Sequence, residues 1–242
     1  EENKKYFFGF GNESINPDDQ QGYDYNRVRV SVAEVSVGLL RNSDYGSTFS
    51  VKALLQSFAL QENALRFIEQ ANVIELEEAK YFATLDATYE YHSKDNSLAP
   101  TRGMDFISNG GFTNSLSNTG NRFLYLNPSL GFYNALNANR KLVLKTTARA
   151  QFRFGDNYEF YQGASLGENN NLRGYRFDRY IGGEAFTTSA DLRYAFDTFK
   201  TGLIPLQIGV FAGYDVGRVW YDGDINSEKW HDSYGLGFWV NS

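Results

Sequence analysis

The chain has 242 residues, no Cys, one Met and a formal net charge of −6, from 23 Lys and Arg against 29 Asp and Glu. The missing Cys excludes disulfides, thiolate metal sites and Cys nucleophiles, and the acidic balance argues against general nucleic-acid binding, which needs clustered cations. No run approaches the roughly 18 uninterrupted apolar residues of a membrane helix, so a helical membrane protein is excluded as well.

Seventeen Tyr, 20 Phe and 23 Gly make a mixture rich in strand formers and interfacial aromatics. An all-β fold follows, either a soluble sandwich or a barrel. Period-two alternation marks about ten strands, near residues 3–10, 22–40, 48–61, 79–93, 102–113, 121–137, 141–155, 184–198, 203–220 and 229–242. The second is irregular: Val28, Val30 and Val32 fall on one parity and Val35, Val37 and Leu39 on the other, and a bulge near Ala33 and Glu34 would reconcile them. Residues 61–79 suit either a short helix or irregular loop.

The clearest alternation runs over residues 141–154. Leu142, Leu144, Ala148 and Phe152 share one face, and Lys141, Lys145, Arg149 and Arg153 share the other. The pattern recurs over 186–196, where Leu192 and Tyr194 oppose Asp191 and Arg193, and over 206–216, where Ile208, Val210 and Tyr214 oppose Asp215. In a sandwich the apolar face meets a second sheet; in a barrel it meets lipid, and the polar face lines the lumen. Phe186 and Phe196 lie ten residues apart on the apolar face. At about 3.3 Å per residue and a tilt near 40° they stand roughly 25 Å apart along the membrane normal, the spacing of two aromatic girdles.

Connections alternate in length. Short links fall at 137–140 and 199–202, and long ones at 61–79, 114–120, 155–183 and 221–228. Outer-membrane barrels have short periplasmic turns and long extracellular loops, so the strand over 141–154 runs outward and the one over 186–196 returns. The basic ladder Lys141, Lys145, Arg149 and Arg153 is expected to pair with acids on neighbouring strands, such as Asp86 and Glu90. The alternative is contact with a translocating chain or anionic lipid. The aromatics of 158–161 and of 220–221 read as interfacial girdle. His92 and His231 lie at strand ends without a carboxylate or second His at ligand spacing, and the sequence shows no Ser-His-Asp order, phosphate loop or paired-carboxylate signature. No catalytic residue, metal site or cofactor is assigned.

The long loop over 155–183 contains Asn171-Leu172-Arg173-Gly174-Tyr175-Arg176, then Gly182-Gly183 and the strand Ser189-Ala190-Asp191-Leu192-Arg193-Tyr194. One strand later comes Phe211-Ala212-Gly213-Tyr214-Asp215-Val216-Gly217. Here the sequence resembles the BamA/TamA superfamily of outer-membrane protein-assembly barrels. Arg173, Gly174 and Tyr175, with Leu172 before them, match that family's (L/V)-R-G-(F/Y) loop motif. Asp191 stands in its acidic-Leu-Arg strand motif, and Asp215 with Gly217 fits its F-x-D-x-G pattern, although Gly213 stands where Phe is usual. Pro100-Thr101-Arg102-Gly103 resembles the family's P-T-R-G lead-in to an outward strand. The likeness is strong over about residues 100–220 and weak over the first hundred.

The resemblance implies a sixteen-strand transmembrane antiparallel β-barrel whose motif loop folds inward, so that Arg173 meets Asp191 and Asp215. Parity supports this independently, since both acids fall on the polar faces of their strands. The plainer alternative makes Arg173 a solvated loop residue and the two acids ordinary lumenal charges. The resemblance further implies insertion or translocation of proteins at the bacterial outer membrane. The partners would be outer-membrane lipid and lipopolysaccharide, client outer-membrane proteins or a translocated domain, and accessory outer-membrane proteins. Two other functions compete: a barrel anchor or secretion pore for a fused hydrolase, such as a phosphoesterase or patatin-like lipase, and a passive porin. With about ten of sixteen strands and no signal peptide, residues 1–242 are expected to be a partial barrel, lacking about four strands before and two after.

Overall fold

The computed structural model describes residues 2–15, 22, 24–61, 66–70, 79–117, 120–155, 157–200 and 205–241. Alternating, β-branched and aromatic stretches form β1 (Glu2–Tyr6), β2 (Arg27–Asn42), β3 (Ser47–Leu60), β4 (Lys80–Lys94), β5 (Gly103–Ser115), β6 (Arg122–Ala135) and β7 (Leu142–Phe154). After the long loop come β10 (Glu184–Ala195), the two-residue β11 (Phe199–Lys200), β12 (Pro205–Trp220) and β13 (His231–Asn241). The loop itself carries a small hairpin, β8 (Ala164–Leu166) with β9 (Tyr180–Gly182). Residues 61–79 yield one helical turn, α1 (Phe67–Gln70), and the rest of that link lies largely outside the described residues.

The main sheet is antiparallel throughout and runs in chain order β1-β2-β3-β4-β5-β6-β7-β10-β12, with β13 on β12. β11 pairs only the first residues of β12, closing the short turn. The long strands agree with the expected set except that β2 begins at Arg27 rather than residue 22 and β1 stops at Tyr6 rather than residue 10, where Phe7 turns into a buried cluster. No helix among the described residues is long and apolar enough to cross a membrane.

The sheet is strongly curled. From β1 to β12 lie eight strand spacings, about 38 Å if the sheet were flat. Asn12 is six residues beyond Tyr6, a reach of about 22 Å at most. Yet Asn12 Oδ1 accepts the backbone N–H of Val219 on β12 at 3.1 Å, and its amide donates to Lys229 O at 2.8 Å and Ser227 Oγ at 3.0 Å. The two ends of the sheet therefore face each other. Among the described residues β1 and β13 are bridged by this segment and share no strand ladder.

Curling separates the faces as the alternation predicts. Leu192, Val210, Tyr214, Leu236 and Phe238 are exposed on the outside. Aromatic pairs mark both ends of that outer face: Phe186 and Trp220 pack edge-on to Trp230 at the long-loop end, and Tyr194 to Phe196 at the short-turn end. One expectation fails in β2, which pairs with β3 without interruption from Val30↔Leu60 to Asn42↔Thr48. There is no bulge at Ala33 and Glu34. Val28 and Val30 are buried on the inner face against Phe7, Ile68, Phe160 and Ile181, while Val35, Val37 and Leu39 face outward. The apolar parity changes because the loops fill the inside at one end of the strand, so both faces of a single regular strand are apolar over different halves.

Candidate functional site

Residues 155–183 fold back onto the inner face, as their length and motif suggest. Two apolar clusters anchor them. Phe160 and Ile181 join Phe7, Val28, Val30 and Ile68, and Ala164, Leu166, Leu172 and Tyr180 pack on Ala185 and Val219 of the wall. Gln151 on β7 completes the free edge of β8, donating to Ser165 O at 2.8 Å and accepting from Ser165 N at 3.3 Å. This placement corrects the reading of residues 158–161 as girdle. Phe160 is buried, Tyr161 stacks on Phe58 at 4.7 Å, and Glu159 accepts from Lys80 Nζ and Asn121 Nδ2, both at 2.7 Å. Composition marks these residues as aromatic but not which side of the wall they serve. Trp220 does lie on the outer rim, whereas Tyr221 stacks on Phe10.

The hairpin presents Arg173 at its tip. Its Nε donates to Asp215 Oδ2 at 2.7 Å, and its NH2 donates to Asp215 Oδ1 and to Asp191 Oδ1, each at 2.6 Å. Its backbone N–H also reaches Asp215 Oδ2 at 3.1 Å, and Ser233 Oγ on β13 donates to the same oxygen at 3.2 Å. Asp215 is fully buried, and a buried carboxylate is tolerated because a two-pronged guanidinium and two further donors satisfy it. The hydrogen bonds to Asp215, and then those to Asp191, push the Arg173 pKa up.

The other motif residues take distinct parts. Leu172 is completely buried. Gly174 has φ +75, a left-handed conformation that disfavours side chains, but a Cβ there would meet nothing within 4 Å, so the turn stands clear of the wall. Tyr175 packs against the rings of Tyr180 and His231, and its hydroxyl donates to Asp232 O at 3.3 Å. Gly217 leaves room for the loop: a Cβ there would lie 2.7 Å from Leu166 Cδ1.

Gly213, the departure from the family pattern, has a physical explanation. A Cβ at this position would stand 2.0 Å from Arg173 NH1 and 2.4 Å from Asp191 Oδ1, so the guanidinium occupies the space a side chain would fill. The aromatic surface comes instead from Phe211, two residues earlier on the same face, with its ring 5.9 Å from the guanidinium carbon.

Sequence reasoning missed the support behind the tip. Asp178, at φ +48 and buried, accepts from Ser165 Oγ at 2.7 Å and Asn169 Nδ2 at 2.8 Å, and its backbone N–H donates to Asn169 Oδ1 at 3.0 Å. Asn12 was missed as well, because its partners are more than two hundred residues away. His92 does have carboxylate partners, Asp105 at 2.7 Å and Glu90 at 3.5 Å. The closer one is a cross-strand neighbour that spacing along the sequence does not reveal.

The basic ladder does not pair with Asp86 or Glu90. Asp86 sits three strands away and accepts from Asn109 Nδ2 at 2.6 Å and Tyr125 OH at 2.5 Å. Lys141 meets Asp197 at 2.5 Å, and Arg153 binds Gln162 O and Asn127 Oδ1. Lys145 and Arg149 have no carboxylate within ion-pair distance among the described residues.

A curled antiparallel sheet with an apolar exterior, aromatic rims and a loop locked onto its inner face has the build of the wall of a membrane-spanning β-barrel. The Omp85 superfamily domain matches residues 4–242, and the chain belongs to that superfamily. Its structure is similar to that of BamA from Haemophilus ducreyi lacking POTRA domains 1–3, with a TM-score of 0.65 at 15% identity, over 88% of this chain and 48% of that one. The chain thus spans about half the length of that structure. No curated protein matches it.

Proposed function

We propose that residues 1–242 are part of the barrel of an outer-membrane machine that inserts or translocates proteins, with the loop motif as its positioning element. The observation that carries this reading is the seat of Arg173 on two inner-wall carboxylates from successive strands, Asp191 and Asp215. A charged clamp costs desolvation and is not needed to hold the sheet, whose ladders run independently of it. It fixes the loop in the lumen, where it can govern passage. The two apolar clusters beneath the loop oppose a passive porin, which needs a polar, water-filled interior. The outer face would meet lipid and lipopolysaccharide, and the partners would be client outer-membrane proteins and accessory outer-membrane proteins. No cofactor is called for.

The test is reconstitution of the full-length protein into liposomes, followed by the folding rate of an added outer-membrane β-barrel client. Faster folding with the native protein, lost in Arg173→Ala while that variant keeps its heat-modifiable gel mobility, supports the proposal. Equal client folding with and without the protein overturns it in favour of an anchor.

A further inference from the structure

We propose that Lys145, Arg149 and Arg193 form a docking track on the inner wall for an extended acidic polypeptide segment entering from the short-turn end. The proposal rests on reading the chain as a barrel that handles polypeptides. It adds the chemistry of what that barrel takes.

The three cations share one face of adjacent strands. Lys145 faces Asp191 across the β7–β10 ladder, but Asp191 is already held by Arg173. Arg149 faces Thr187 and Ser129, and Arg193 faces Val143 and Phe211, so neither has an acid opposite it. Both arginines have a buried Nε without a hydrogen-bond partner. Lys145 and Arg193 also converge on the ring of Tyr133, at 6.0 and 5.5 Å, with Lys94 at 5.9 Å. The nearby acids are committed elsewhere: Asp105 to His92 and Lys94, Asp86 to Asn109 and Tyr125, Asp215 to Arg173. Half-buried cations are costly, and among the described residues the one wall carboxylate that faces the strip is Asp191, which Arg173 already holds.

The strip is reachable. Its Arg193 end lines a cavity of about 630 Å³ at the short-turn end, together with Arg140, Lys141, Val143, Gln207 and Asp197, and Asp197 is already paired with Lys141. Along β7, Lys145 and Arg149 stand about 13 Å apart, the distance between side chains four residues apart on an extended strand. A segment in that conformation with carboxylates on one face matches the track in charge and period.

The test uses the purified full-length protein in neutral detergent, with a short fluorescein-labelled peptide alternating Glu and Ser and a matched peptide of Lys and Ser, read by anisotropy. The expected result is binding of the Glu peptide alone, weakened by salt, and about tenfold weaker binding in the Lys145→Gln/Arg149→Gln/Arg193→Gln variant. Arg149→Lys should bind like the native protein. If the triple variant loses its heat-modifiable mobility, Arg149→Gln against Arg149→Lys decides the matter, since the first removes the charge and the second keeps it. Equal binding of the two peptides, or no loss in the variants, overturns the proposal. So does retention of the native protein, but not of the triple variant, on phosphatidylglycerol vesicles together with no peptide binding, which would make the strip a lipid site. Client folding that persists while the acidic peptide fails to bind removes the track and leaves the proposed function standing.

Discussion

Asp191 and Asp215 stand on a diagonal of the β10–β12 ladder: Asp191 faces Gly213, and Asp215 faces Ser189 two residues further on. The vacancy at Gly213 lies beside Asp191, so one guanidinium can reach both carboxylates without moving either strand. The load is unequal, since Asp215 accepts two side-chain bonds and one backbone bond from Arg173 and Asp191 accepts one.

That inequality predicts an order. Arg173→Ala strands a fully buried carboxylate and should weaken loop docking by about 3–5 kcal/mol, whereas the barrel wall stays folded. Asp215→Asn should fall close behind, and Asp191→Asn should cost least. Limited proteolysis within residues 155–183, with heat-modifiable mobility as the control for the wall, checks the series. Unfolding of the wall in Arg173→Ala would contradict it.

Gly213→Ala should release the loop more than Gly174→Ala. The first places a methyl 2.0 Å from Arg173 NH1; the second meets open space and carries only the strain of φ +75, about 1 kcal/mol. The same proteolysis assay ranks them, and a tighter loop in Gly213→Ala than in Gly174→Ala would refute the role of the vacancy.

The parity of the wall was legible because a strand's side chains alternate whatever they touch, so Lys145, Arg149, Asp191 and Asp215 could be placed on one face from the sequence. The clamp was legible because a long loop carried one arginine between two inward acids. What could not be read depends on neighbours that the chain brings together only on curling. Val28 and Val30 looked out of register because a plug makes the inner face apolar at that height. Gly213 looked like a departure because an absent side chain has meaning only once Arg173 is seen beside it. Asn12, with Lys229 and His231 as partners, had no signal at all.

Phe160 tests the corrected reading of residues 158–161. As a plug residue beside Phe7 and Tyr161, at 5.0 and 5.2 Å between rings, Phe160→Ala should cost about 3–5 kcal/mol. A rim residue such as Trp220 should cost less on truncation, because it remains partly exposed. Thermal melting of the two variants in the same detergent separates them; a smaller loss at Phe160 would restore the girdle assignment.

The turn between β4 and β5 gives a prediction in pH. Asp95 accepts from Thr101 Oγ1 at 2.5 Å and from the backbone N–H groups of Thr101 and Arg102 at 2.8 and 3.0 Å, which ties the Pro100-Thr101-Arg102-Gly103 segment together. The Thr101 hydroxyl, followed by the Arg102 amide, holds its carboxyl down at about 2, below the ordinary value of 3.8. A folded pKa that is lowered means the contribution is complete above the unfolded value and disappears as pH falls from about 3.8 toward 2. The turn should therefore keep its geometry at pH values where unpaired surface aspartates have already taken up protons. Because Pro100 O also accepts from Arg193 NH2 at 2.8 Å, loosening this turn would free one end of the basic strip. The carboxyl carbon shift of Asp95, followed by NMR in micelles, should titrate near 2 in the native protein and move up toward 3.8 in Thr101→Val, which keeps the shape and removes the hydroxyl. A native midpoint at the ordinary aspartate value would show that these hydrogen bonds do not form in solution.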